Sequence, residues 1–402
     1  MIPQGRYIAL GILLIVVGYT ARKTYLYYFD TTVPHVSIHG FEDEKGYAGD
    51  VVGSLKGWSP YKISHISMWL DDALMHNEFK INRKQFDHPI SIPVKSIPDG
   101  KHTIKFEIVD GTKHQNSCSI QRTFYTDNLG LQATLVPLTS GYKVLQGRCL
   151  YIQLQVNKPI KSAVARLLQN EYEFIPEGKN SLVYEAYIPM ECEQDAGQYP
   201  FTVDVVDRLG NKMTLEDSFQ VISFPFKRKV LTITGNKLQT ELEFTPLQEA
   251  DLEARMEELA AASKPEKLWS GLFDVPLVMK GITTDFGVIR TSQERGRKVH
   301  KALDLVADPR SVVWACNHGI VVLKDRFTHT GNTVVIDHGC GVLSLYCHLL
   351  DYADISVGQK VKKGHPLGRM GMTGYASGDH LHWEIRVKNI AVEPMQWTQR
   401  WN

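Results

Sequence analysis

The residues His380-Leu381-His382-Trp383-Glu384-Ile385-Arg386-Val387 alternate polar and apolar without a break. Side chains of a strand point to opposite faces with period two. The stretch therefore predicts one strand, with His380, His382, Glu384 and Arg386 on one face and Leu381, Trp383, Ile385 and Val387 in the core. Two imidazoles on one face offer a metal two neutral nitrogen ligands. The bland alternative is a solvated face with idle histidines. On that face Glu384 and Arg386 either support the histidines or form a surface ion pair.

Two further pieces lie upstream. Asp304 sits inside the apolar run Ala302-Leu303-Asp304-Leu305-Val306, where an unpaired carboxylate is costly and calls for a charge partner or a metal. His300 lies an even number of residues before it, so both side chains face one side if the segment is extended. His348, in Leu345-Tyr346-Cys347-His348-Leu349, reads either as a core histidine or as a functional one. Each piece is weak alone. All three fall in a Gly-dense, β-rich region from about 266 to 402.

In order along the chain, these pieces resemble the lysostaphin/LytM-type zinc metalloendopeptidases, peptidoglycan endopeptidases with a duplicated hybrid motif. The resemblance covers about residues 275–398. It includes Thr283-Thr284-Asp285-Phe286-Gly287, the HxxxD of His300 and Asp304, Gly331-Asn332-Thr333-Val334-Val335-Ile336-Asp337-His338-Gly339, Tyr346-Cys347-His348-Leu349, Gly358 to Gly364, and Thr373-Gly374 to His382. The resemblance implies an antiparallel β metallopeptidase domain of barrel-sandwich hybrid type and one Zn2+ per chain. It implies His300, Asp304 and His382 as metal ligands and His348 and His380 as catalytic histidines. One of these two would take a proton from water and the other would stabilise the oxyanion, with the assignment between them open. Three protein ligands leave a fourth position for water, as in catalytic rather than structural zinc sites.

Two departures are visible. Ala302 replaces the usual Gly of HxGxD, and Asp308-Pro309 replaces a Gly-containing turn. Neither falls on a ligand position. His318, His329, His338 and His365 match no ligand position, and His338 is expected to support a turn. The competing class is a non-hydrolytic regulator or activator of cell-wall hydrolases, or a cell-wall binding module, that keeps the fold. A lipoyl-like β domain without metal is a related alternative. Other hydrolase classes are disfavoured, because the chain has no HExxH, no GxSxG and no P-loop. The loops 290–299, 325–331 and 371–379 are expected to select the bond cut.

The remainder of the 402 residues sets the context, and the length suggests two or three domains. With 45 basic against 44 acidic residues, the balance disfavours a dedicated nucleic-acid binder. Ile8 to Val17 is an apolar run flanked by Arg6 and by Arg22-Lys23, the pattern of an export signal. Tyr19 makes the cleavage site poor, and the segment (residues 1–30) reads as an export signal that is either removed or kept as a single-pass membrane anchor, with the rest of the chain in the cell envelope, membrane-anchored or periplasmic. Tyr25 to Phe29 would sit at the membrane interface.

Residues 31–127 and 128–226 read as two immunoglobulin-like β-sandwich modules. The stretch Asp99-Gly100 to Val109-Asp110 returns 97 residues later as Ala196-Gly197 to Val206-Asp207. Their histidines, His102 among them, read as surface residues. The modules are expected to act as spacers or as surfaces for an envelope partner.

A strand and linker helix follow over 227–265, with Thr245, Pro246 and Gln248 as a capping box and Leu252, Met256 and Leu259 as an apolar stripe. The helix either packs as a linker or covers the cleft of the next domain. The fold class is thus mostly β, and the metallopeptidase domain occupies 266–402. Six cysteines are too few for a disulfide scaffold, with Cys340–Cys347 the one pair suggested.

Overall fold

The structure is a computed structural model and describes residues 4–137, 141–230, 245–292 and 296–401. Strands dominate it. Two compact units are present: Met1–Leu131 with Asp207–Asn211, and Gln132–Val206 with Lys212–Asn402.

In the first unit, the apolar run belongs to one helix, Gln4–Phe29, which continues through Arg22 and Lys23. Its segment Tyr7–Phe29, with mean hydropathy 1.3, is long and apolar enough to cross a membrane. At 1.5 Å per residue it measures about 34 Å against a hydrocarbon core of about 30 Å. The β strands join one six-stranded sheet. Val51–Leu70 lies between His35–His39 and Gly100–Asp110, then Ser117–Thr126 and Lys45–Tyr47, while Ala73–Ile92 also pairs with Val51–Leu70. Alternate residues Ile104, Phe106 and Ile108 face the core with Ile63, Ile66 and Phe124. His102 departs from the surface expectation. It is buried, with Nδ1 2.5 Å from Asp71 Oδ2 and Nε2 2.7 Å from the Pro98 carbonyl.

The second unit opens with a five-stranded and a four-stranded sheet. The repeated strand is present in both units. Gly100–Asp110 pairs antiparallel with Ser117–Thr126, and Gly197–Asp207 with Lys212–Ile222.

The same unit then builds a ten-stranded sheet. Its central path runs through Gly281–Thr284, Leu303–Val306, Leu381–Val387, Val342–Tyr352, Gly331–Asp337, Gly319–Phe327 and Lys360–Val361. As the alternation predicts, Leu381, Trp383, Ile385 and Val387 lie in the core. The other face of that strand is not solvated: Glu384 and Arg386 are buried. The helix Thr245–Ala261 contributes to this burial, because its Glu253 pairs with Arg386. Leu252 and Met256 pack with Leu323, Val335, Leu343, Leu345 and Cys347, and Leu259 packs against the same cluster. The side chains of the capping box lie outside the described residues. After the helix, Ser263 Oγ donates to Asp337 Oδ1 at 2.6 Å and the Lys264 N–H to Asp337 Oδ2 at 3.0 Å, which holds the helix end on the sheet.

All six cysteines are free, so the Cys340–Cys347 pair is not formed. Cys347 lies inside the strand Val342–Tyr352 and Cys340 precedes it. At a rise of about 3.3 Å per residue, the extended chain between them exceeds the roughly 7 Å between Cα atoms that a disulfide tolerates.

Candidate metal centre and active site

Register brings the donors together. Antiparallel pairing sets Asp304 opposite His382. Asp304 Oδ1 stands 3.1 Å from His382 Nδ1 and 3.1 Å from His300 Nε2. One donor atom from each of His300, Asp304 and His382 lies within 4.8 Å of the others. The ring centroids of His348 and His380 are 4.7 Å apart, and His348 is 5.7 Å from His382. All five residues expected from the sequence therefore meet in one place.

Each imidazole is anchored through one nitrogen, which leaves the other for the site. The Nδ1 of His300 is 3.1 Å from the Asp285 carbonyl, that of His348 2.8 Å from the Thr373 carbonyl, and that of His380 2.8 Å from the Gly378 carbonyl. A carbonyl only accepts, so these Nδ1 atoms carry the proton and Nε2 is left bare in the neutral ring. His382 is the reverse: Nε2 donates to Glu384 Oε1 at 2.9 Å and Nδ1 faces Asp304. Such anchoring fixes tautomer and ring orientation in metal sites.

His348 owes its position to a β-bulge. Between the pairs Val334↔Tyr346 and Asn332↔Leu349, its strand carries one residue more than the partner strand. His348 itself is left-handed, at φ +60°. A bulge re-aims side chains and is common beside active sites. Without it, strict alternation would send His348 to the side of Tyr346, in the apolar core. Gly331 presses on the same spot: at φ +64°, a Cβ there would lie 2.3 Å from the Thr373 carbonyl oxygen that anchors His348.

Electrostatics follow from burial and pairing. Burial alone would raise the Asp304 carboxyl, but the His300 and His382 rings, each with a nitrogen 3.1 Å from Oδ1, hold it well below the carboxylate range. Burial pulls His300 down, and it pushes His348 down to about 3 with help from the nearby His382 and His380. His348 is thus a neutral imidazole at pH 7. Burial would also lower His382, yet its bonds to Asp304 and Glu384 raise it to about 9. The donor set, one carboxylate and two imidazoles with anchored rings, suits a tetrahedral metal with one open position.

The five residues line a cleft of about 1150 Å³. Its lips include Arg290, Ser292 and Lys298, then His329 and Thr330, and Gly374 to Ser377, segments of the three loops singled out in the sequence. Residues 293–295 lie outside the described residues. His329 stacks on Tyr375, with centroids 5.5 Å apart, and is no donor to the triad. His338 is buried, bonded to the His318 carbonyl and to Ser344 Oγ, each at 2.7 Å. One further wall, Glu191 to Glu193 of the upstream β region, carries no sequence signal, and another, Leu252 and Glu253, belongs to the helix that the sequence reads as either a linker or a cover for the cleft. Both depend on long-range packing. The helix forms one side of the cleft as well as a packed linker.

Residues 298–394 match the sequence model described as Peptidase family M23. The C-terminal region is therefore an M23 peptidase domain of the LytM/lysostaphin type. Among its relatives, the peptidoglycan DD-endopeptidase ShyC of Vibrio cholerae serotype O1 is 32% identical over 120 residues, covering 30% of this chain and 28% of that protein. The murein hydrolase activator EnvC of Escherichia coli strain K12 is 34% identical over 108 residues, 27% of this chain and 26% of that protein. A solved structure from Pseudomonas aeruginosa, described as a putative peptidase M23, covers 64% of this chain and 96% of its own, with TM-score 0.47 and 22% identity. The chain spans little more than a quarter of the length of these curated relatives.

Proposed function

We propose that this chain is a zinc-dependent endopeptidase that hydrolyses peptide bonds of peptidoglycan stem peptides or cross-bridges. It would act in the cell envelope, with the helix Tyr7–Phe29 as its membrane anchor. The reading rests on one observation, the convergence of His300, Asp304 and His382 donor atoms within 4.8 Å beside two further anchored histidines. His300, Asp304 and His382 would hold one zinc ion. Zinc, when bound, polarises a carbonyl and lowers the pKa of water to about 7.

The chain's own groups would supply the rest. His348, with Nδ1 held by the Thr373 carbonyl and Nε2 turned to the site, would accept the proton. His380, 4.7 Å away, would stabilise the developing oxyanion when protonated. Glu384 would keep the His382 ring from rotating.

The test is hydrolysis of isolated peptidoglycan by the purified, zinc-loaded chain, with products separated and identified. Soluble fragments that vanish on chelation would establish the activity and name the bond. Intact sacculi together with stoichiometric zinc would sink the hydrolase and favour the regulator.

A further inference from the structure

From the side chains behind His382 we infer that Glu253, on the helix upstream of the M23 match, is a positioning residue of the metal site. The inference rests on the zinc reading proposed above.

A continuous chain of charge-assisted bonds links the two. His382 Nε2 donates to Glu384 Oε1 at 2.9 Å, and Arg386 Nε donates to Glu384 Oε2 at 2.7 Å. The guanidinium then grips Glu253 with both terminal nitrogens, Nη1 to Oε2 at 2.8 Å and Nη2 to Oε1 at 3.1 Å. Nη1 also donates to Asn389 Oδ1 at 3.0 Å. The Arg386 side chain is 1% exposed and that of Glu384 6%. Buried charges of this kind persist only when paired and hydrogen-bonded, and Arg386 needs both carboxylates.

The geometry shows what Glu253 does. Arg386 offers Glu384 only Nε, because Glu253 occupies its fork. A guanidinium and a carboxylate prefer a bidentate, fork-to-fork pairing. Freed from Glu253, Arg386 can turn both of its prongs onto Glu384 and draw Oε1 away from His382. The His382 ring would then lose the bond that holds its Nδ1 edge aimed at the metal position. Glu253 Oε1 also accepts from Lys301 Nζ at 3.0 Å, beside His300. One carboxylate, 133 residues from Arg386 in sequence, thus braces the strand that carries His382.

The test measures zinc affinity of the full chain by competition with a chromophoric chelator, and the His382 tautomer from its imidazole 15N shifts. Loss of a residue that supports a metal ligand costs about 10- to 100-fold in affinity. Glu384→Gln should fall in that range, and Glu253→Gln, one bond further out, should lose roughly fivefold with a mixed His382 tautomer. Because Glu253 acts through Glu384, the double variant should bind no more weakly than Glu384→Gln alone. Wild-type affinity in Glu253→Gln, or losses that multiply in the double variant, would overturn the inference. A His382→Ala variant that keeps wild-type zinc affinity would instead overturn the ligand assignment.

Discussion

Asp304 and His382 face each other across two antiparallel strands, with Oδ1 and Nδ1 3.1 Å apart. The pairing is made by the backbone ladder, so it does not depend on loop conformation. Asp304→Asn keeps the side-chain shape and removes one anionic donor. Zinc content measured by elemental analysis should drop from stoichiometric to trace. Peptidoglycan hydrolysis should fall by at least about a thousandfold, since the open-site chemistry goes with the metal.

His348 lies outside the triad. His348→Ala should keep its zinc while turnover falls by about 10²- to 10⁴-fold, the range for a lost acid–base group. The residue sits at φ +60°, where histidine and alanine both carry the Cβ cost of a left-handed backbone, so the change itself adds no new strain. A zinc assay alongside single-turnover hydrolysis separates metal loss from lost turnover. An unchanged rate would return His348 to a packing role.

Gly331 is held at φ +64°, and an added Cβ would meet the Thr373 carbonyl oxygen at 2.3 Å. Gly331→Ala should therefore shift the group that anchors His348 Nδ1. Turnover should drop at least about tenfold with zinc retained, and the left-handed alanine should cost roughly 1–3 kcal/mol of stability. Thermal melts and kinetics on the same preparation would report both.

Met256 is fully buried between the helix and the sheet. Met256→Ala should destabilise the second unit by about 2–5 kcal/mol, the transfer and cavity cost of such a truncation. Urea unfolding followed by tryptophan fluorescence would read it, because five tryptophans, Trp269, Trp314, Trp383, Trp397 and Trp401, lie in this domain.

Acid should weaken the hold of the helix. Burial would raise the Glu253 carboxyl, but Arg386 and Lys301 outweigh it and the net shift is downward. A carboxyl depressed in the folded state contributes stability that is present above its unfolded value, about 4.3, and is lost as pH falls through the folded value. The melting temperature should therefore decline below about pH 4.3. Glu253→Gln should melt lower at pH 6 and show a flatter acid limb.

The candidate site was unusually legible in the sequence, because period-two alternation and even spacing in strands translate directly into shared faces. His382 and Glu384 lie where alternation puts them, and the register of the neighbouring strand adds Asp304. What stayed hidden has physical reasons. The burial of Glu384 and Arg386 depends on a helix far away in the chain, and no local pattern announces Glu253 as its partner. The left-handed kink at His348 breaks the alternation that made the other residues readable. His102 was read as exposed because its carboxylate partner, Asp71, belongs to a different strand connection.

Glu191, Cys192 and Glu193 border the cleft, although they lie well before the segment that matches the M23 family. Under the proposed function, the metal-site residues and this wall of the cleft are thus encoded in separable stretches of one gene. Preference for one crosslink over another could drift in the upstream stretch while the donors stay constant. Two chains with identical ligands could then harvest different bonds from the same wall.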